Sequence, residues 1–164
     1  MKRLAAVLSA VLATTVLVTP PAGADTASVV YSCTEMGSAP VPLTYSVSIT
    51  APVKVRKGTK IRLKVSATKP APADVPAGGI DGDMDIAVGG AGSGTVTATG
   101  LANATAVPVG QPMVLGPGYA TYTPATTGVV TFAPGHFVMD IWIGATLDCS
   151  LPGGGPVLAS TTVY

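Results

Sequence analysis

Glutamate and glutamine are almost missing: Glu35 and Gln111 stand alone in 164 residues. Surface helices draw heavily on those residue types, so a helical fold would have little to be made from. Charge is scarce as well, at 10% of residues. Once Lys2 and Arg3 are set aside with the N-terminal segment, seven basic residues face eight acidic ones, and such a near-neutral chain lacks the broad basic excess of a nucleic-acid binder. Two cysteines and one histidine do not complete a four-ligand zinc site. A single glutamate among clustered aspartates leaves no separated acid and base for glycoside hydrolysis.

What is present begins with Met1, Lys2 and Arg3, followed by an uncharged apolar run over 4–18 and by Pro20 and Pro21. This is the pattern of a signal peptide, and the run is shorter than the roughly 20 residues of a transmembrane helix. Ala22-Gly23-Ala24 supplies small residues for signal peptidase, so the expectation is a leader over 1–24 and a mature chain over 25–164, released as one domain without a membrane anchor. Cys33 follows Tyr31-Ser32 and lies too far along for lipoprotein processing, and Leu151-Pro152-Gly153-Gly154-Gly155 lacks the threonine and tail of a cell-wall sorting signal. In an exported chain, Cys33 and Cys149 are expected to form a disulfide.

Apolar residues recur at alternate positions from end to end, the signature of strands. Strands are expected over 27–33, 41–50, 53–56, 59–67, 80–88, 95–107, 112–115, 119–123, 128–133, 136–149 and 155–164. In the fourth, Ile61, Leu63 and Val65 face one way while Lys60, Arg62 and Lys64 face the other. In the fifth, Ile80, Met84, Ile86 and Val88 oppose Asp81, Asp83 and Asp85. About nine short strands divided by turns predict an all-β, antiparallel sandwich.

The run from Ile49 through Pro52, Val53-Lys54-Val55-Arg56, Lys57-Gly58 and Thr59 to Val65 is similar to the opening of many bacterial Ig-like domains. There a proline precedes a short edge strand, a glycine turns the chain, and an alternating strand enters the core. The wider layout, Tyr31-Ser32-Cys33 near the start of the expected mature chain and Asp148-Cys149 near its end, resembles uncharacterised secreted proteins of actinobacteria with an Ig-like sandwich. The resemblance implies a fold and an extracellular setting, and brings no activity with it.

Several residues invite a chemical role. Asp81, Asp83 and Asp85 have a spacing that wraps calcium in a loop, but in a strand it places all three on a solvated face. The seven basic residues beyond the expected leader all fall within 54–69, either as a patch for anionic polymers, as a soluble outer face, or as the neighbour of the aspartate strand with charges paired across. His136 has Asp140 and Asp148 as possible partners, but Ala91-Gly92-Ser93-Gly94-Thr95 lacks the outer glycines of a nucleophile elbow. Trp142 falls on the face of Asp140 by alternation and offers a stacking surface for sugars, with Tyr119 or Tyr122 as helpers. Asn103-Ala104-Thr105 is a glycosylation sequon. The expectation is therefore a secreted, non-enzymatic module without cofactor or metal, partnered by another protein or, alternatively, by a cell-envelope glycan or anionic polymer.

Overall fold

The computed structural model describes residues 22–164, with side chains from position 25 onward. The expected leader lies outside the described residues except for Ala22, Gly23 and Ala24, whose backbone opens the first strand. The described chain is all β, with no helix. Its ten strands are β1 (Ala22–Glu35), β2 (Val41–Pro52), β3 (Lys54–Val55), β4 (Ile61–Pro70), β5 (Ile80–Gly90), β6 (Gly94–Ala98), β7 (Pro112–Tyr122), β8 (Gly128–Ile141), β9 (Ala145–Ser150) and β10 (Ala159–Val163).

The alternation sorts side chains as the sequence predicts. Ile61, Leu63, Val65 and Ala67 of β4 are buried while Arg62 and Lys64 are exposed, and Ile80, Met84, Ile86 and Val88 of β5 are buried between the exposed Asp81 and Asp83. Between β3 and β4, Gly58 adopts φ +79°, a conformation that glycine enters without steric cost.

The expected strands differ from the observed ones in four places. The strand expected over 95–107 stops at Ala98, because Thr99 bonds across to Tyr119 and the chain beyond Gly100 becomes a loop tied down by Asn103. The pieces expected over 112–115 and 119–123 are one strand, β7. The pieces over 128–133 and 136–149 regroup as β8, which runs through Pro134, and β9, after a turn at Trp142, Ile143 and Gly144. Pro134 is tolerated there because it falls at a register shift between Met84 and Ile86, where a missing N–H costs the ladder least. The strand expected over 155–164 is confined to β10.

All ten strands join in one mixed sheet, with β3 and β10 parallel, where an antiparallel sandwich of about nine strands was expected. The physical reason is β8. Its fourteen residues pair with β5 on one edge and serve two partners end to end on the other, β10 from Gly128 to Phe132 and β9 from Phe137 to Ile141. The order then runs β6, β5, β8, β9, β1, β2, β4, β7. It returns to its start where Thr99, one residue beyond β6, and Tyr119 of β7 exchange both backbone hydrogen bonds at 3.2 and 3.0 Å. The sheet is thus rolled onto itself, with β8 and β4 on opposite sides of the ring.

Inside the roll, Cys33 and Cys149 are directly opposite on β1 and β9 and form a buried disulfide. Beside it, Tyr31, Tyr45 and Phe137 pack mutually with ring centroids 5.6 to 6.2 Å apart, in tilted or edge-on arrangements that aromatic quadrupoles favour. The two phenols reach only thioethers: Tyr31 donates to Met84 Sδ at 3.9 Å and Tyr45 to Met139 Sδ at 3.7 Å. Burial pushes the Tyr45 hydroxyl up to about 12 and raises Tyr31 further, burial first and the charge of Tyr45 second.

Two outcomes follow from this core. Replacing both cysteines by alanine reopens a span of 116 residues and should lower stability by about 3 to 5 kcal/mol, measured from denaturant midpoints. In alkali, both tyrosines keep their proton in the fold after the unfolded chain has lost it. Stability is therefore unaffected by them below pH 10 and falls by ~1.4 kcal/mol per pH unit per tyrosine above it, until the folded groups ionise. Tyr45→Phe should flatten that fall between pH 10 and about 12, as read from melting curves taken across the range.

Candidate functional site

The basic residues of 54–69 divide by the pleat of the sheet. Lys54, Arg56, Lys57, Lys60, Arg62 and Lys64 are exposed. Lys69 turns the other way: it is half-buried, its Nζ lies 5.4 Å from the Tyr45 ring centroid, and burial lowers its pKa. Lys60, just before β4, and Arg62 and Lys64 within it form an exposed row, and the neighbours of β4 are β2 and β7. This overturns the pairing of β4 with the aspartate strand, because β5 lies between β6 and β8. Among the described residues, the single ion pair joins His136 to Asp148, so no lysine or arginine meets a carboxylate.

Tyr119 belongs to this basic face. It lies opposite Lys64 on β7, is 38% exposed, and carries the Arg62 guanidinium 3.7 Å above its ring centroid. That stacking holds a planar five-donor group flat on the surface with its edges free to bind an anion. Gly118 makes the placement possible: a Cβ there would come 2.6 Å from Leu101 Cδ1, so only glycine lets the Leu101 plug sit under β7 where Tyr119 bonds to Thr99. The outer face continues across β2 and β4 with hydroxyls, Ser46, Ser48 and Thr50 standing opposite Thr68, Ser66 and Lys64.

The other candidate residues are dispersed. Tyr122 turns inward and meets Phe132 edge-on at 6.1 Å, so it is no helper for a surface stack. Trp142 sits in the β8–β9 turn and not within a strand, 45% exposed, its backbone N–H donating to Gly79 O at 2.8 Å. Among the described residues it has no aromatic partner. His136 Nε2 is 2.8 Å from Asp148 Oδ1, while Asp140 accepts from Thr146 Oγ1. No hydroxyl donates to His136, and Ser150 Oγ donates instead to the Ser32 carbonyl.

Asp81, Asp83 and Asp140 line a shallow depression of about 90 Å³ on the outer side of β5 and β8. Asp85 is drawn aside, accepting from Thr97 Oγ1 at 2.8 Å. Among the described residues no three carboxylate, imidazole or thiol groups converge closely enough to hold a metal ion. A larger open depression of about 470 Å³ lies between the loops carrying Asp74-Val75-Pro76 and Ala106-Val107-Pro108, and Asp74 there is committed to the Val109 N–H.

The sequon asparagine, Asn103, is buried. It is 1% exposed, its Nδ2 donates to the carbonyls of Pro76 and Thr105, and its Oδ1 accepts from the Ile80 N–H at 2.9 Å. The fold leaves no room for a glycan on that amide. Its work is to lock the loop before β5 to the loop after β6, and the one signal in the sequence was its position as the sole asparagine within a long Ala-Thr-Val-Pro stretch.

No protein-family model, curated protein or solved structure matches the chain. The candidate site therefore stands on its geometry: a row of unpaired cations with a stacked arginine on a hydroxyl-rich sheet face. For the loop lock, Asn103→Ala leaves the Ile80 N–H buried without a partner and should cost about 1 to 3 kcal/mol. Hydrogen exchange at Ile80 and Gly78 should accelerate in that variant while β4 amides keep their protection.

Proposed function

We propose that this chain is an exported, non-enzymatic interaction module of the Ig-like kind, whose β4 face receives an anionic polymer of the cell envelope. The observation that carries the proposal is the row Lys60, Arg62 and Lys64, exposed, free of carboxylates, and braced by Tyr119 beneath Arg62. A polyanion with regularly spaced phosphates or carboxylates gains several cations at once from such a row, which is worth more than isolated surface charges. The hydroxyls of Ser46, Ser48, Ser66 and Thr68 alongside offer hydrogen bonds without competing charge.

Support for export comes from the Met1 to Ala24 leader pattern and from the buried Cys33–Cys149 bond, a linkage that persists in oxidising compartments. Support for the Ig-like kind comes from the segment after Pro52, with its short edge strand β3, turn at Gly58 and entry of β4 into the core. Support for a non-enzymatic role is that, among the described residues, the His136–Asp148 pair has no hydroxyl bonded to it and both sulfurs are locked together. A sugar stack centred on Trp142 has less behind it, because Tyr122 is turned inward and Tyr119 is covered by Arg62.

The test is binding of the purified protein to a linear polyanion, such as a glycerol-phosphate polymer, beside a neutral glucan. Retention of the protein by the polyanion and not by the glucan is expected, weakening as salt is raised. The triple change Lys60→Gln, Arg62→Gln and Lys64→Gln should weaken it about tenfold or more, at ~0.5 kcal/mol per charge removed. Trp142→Ala should leave it unchanged. Equal binding of the neutral glucan, or loss on removing Trp142 alone, contradicts the proposal.

A further inference from the structure

The outer side of β5, β8 and β9 is the electrostatic counterpart of β4. Asp81, Asp83, Asp140 and Asp148 are exposed there, with Asp85 at its edge. Asp81 stands directly opposite Asp140, a like-charge cross-strand pair that works against the sheet. Apart from His136 against Asp148, no cation among the described residues relieves it. The fold itself gains nothing from this arrangement.

The two charged rows match in spacing. Lys60, Arg62 and Lys64 occupy alternate positions, as do Asp81, Asp83 and Asp85, and two residues of extended chain advance about 6.7 Å. Arg62 and Lys64 of β4 thus repeat at the interval of Asp81 and Asp83 of β5, with Lys60 just before β4 and Asp85 turned aside to Thr97. They cannot meet within one molecule, because β5 and β4 share no edge and their outer sides face away from each other around the roll.

We infer that a second copy of this chain is the partner of the aspartate face: the β4 row of one molecule seats on the β5 row of the next. The contact joins unlike surfaces, so each pair retains one free face of each sign, and association propagates head to tail instead of closing at a dimer. Since β4 is also the face offered above to a polyanion, a bound polymer and a neighbouring molecule compete for it. The inference does not depend on the polymer, since only the complementarity of the two rows enters it.

The test is sedimentation velocity of the purified protein at an ionic strength of about 0.01 M, where charges reach ~30 Å, and about 1 M, where they reach ~3 Å. The weight-average mass should rise with concentration at low salt and fall to the monomer at high salt. Two variants separate the faces. Asp81→Asn, Asp83→Asn and Asp85→Asn together leave only the basic row, and Lys60→Gln, Arg62→Gln and Lys64→Gln together leave only the acidic one. Each should be monomeric alone at low salt and melt no lower than the wild type, and an equal mixture should form a heterodimer that grows no further. The aspartate variant should still bind the polyanion, so a failure there counts against the function proposed above and not against self-association. A wild type that stays monomeric at low salt overturns the inference. So does a neutralised variant that associates as well as the wild type, or a mixture that remains separate.

Discussion

Successive side chains of an extended strand point to opposite faces, and when a sheet is rolled onto itself one set is enclosed while the other is turned outward on every side. The rest of this structure depends on that constraint. It puts Ile61, Leu63 and Val65 against Met84, Ile86 and Phe137 in one continuous core. By the same geometry it carries Arg62 and Lys64 to one side of the molecule and Asp81, Asp83 and Asp140 to the other. A chain with little net charge thereby becomes a strongly polarised object, and what it offers to partners is decided by direction more than by composition.

The roll is secured at its most crowded point. Cys33, Cys149, Tyr31, Tyr45 and Phe137 come from β1, β2, β8 and β9, the strands on which one wall passes into the other. Among the described residues, the thioethers of Met84 and Met139 accept the two phenol hydroxyls, weak bonds that suit a dry interior. At the far side the ring is closed by the Thr99–Tyr119 exchange and by the Gly116 N–H donating to Ala102 O, with the Asn103 lock behind them. Tyr119 therefore serves both the closure, through its backbone, and the basic face, through its ring under Arg62.

Much of this was legible in the sequence. The in-and-out order of β2, β4 and β5 follows from alternation alone, since, Lys69 apart, the apolar and charged residues there do not share a face. The disulfide was legible because two lone cysteines behind a leader-like N-terminal pattern have few other uses. Which strands neighbour which was not, because pairing is set by the length of β8 and by hydrogen bonds between segments distant in the chain, and neither leaves a periodic trace. That is why the cations of β4 were open to pairing with the aspartates of β5. Trp142 was misassigned to a strand because Phe137 through Ile143 alternates without a break, and only Gly144 at φ +81° marks the turn. The role of Asn103 was hidden because a sequon and a buried loop lock have the same spelling. Burial, invisible in the sequence, separates them.

The separation of the two charged walls is the claim most directly open to measurement. Spin labels placed on the outer faces through Arg62→Cys and Asp83→Cys, with the Cys33–Cys149 bond intact, report their distance by pulsed electron paramagnetic resonance. Two walls ~10 Å apart, with label arms pointing away from each other, predict a narrow distribution on the order of 20 to 30 Å. A distance near the ~5 Å of adjacent strands, or a broad distribution without a maximum, would contradict the rolled sheet and the polarity that follows from it.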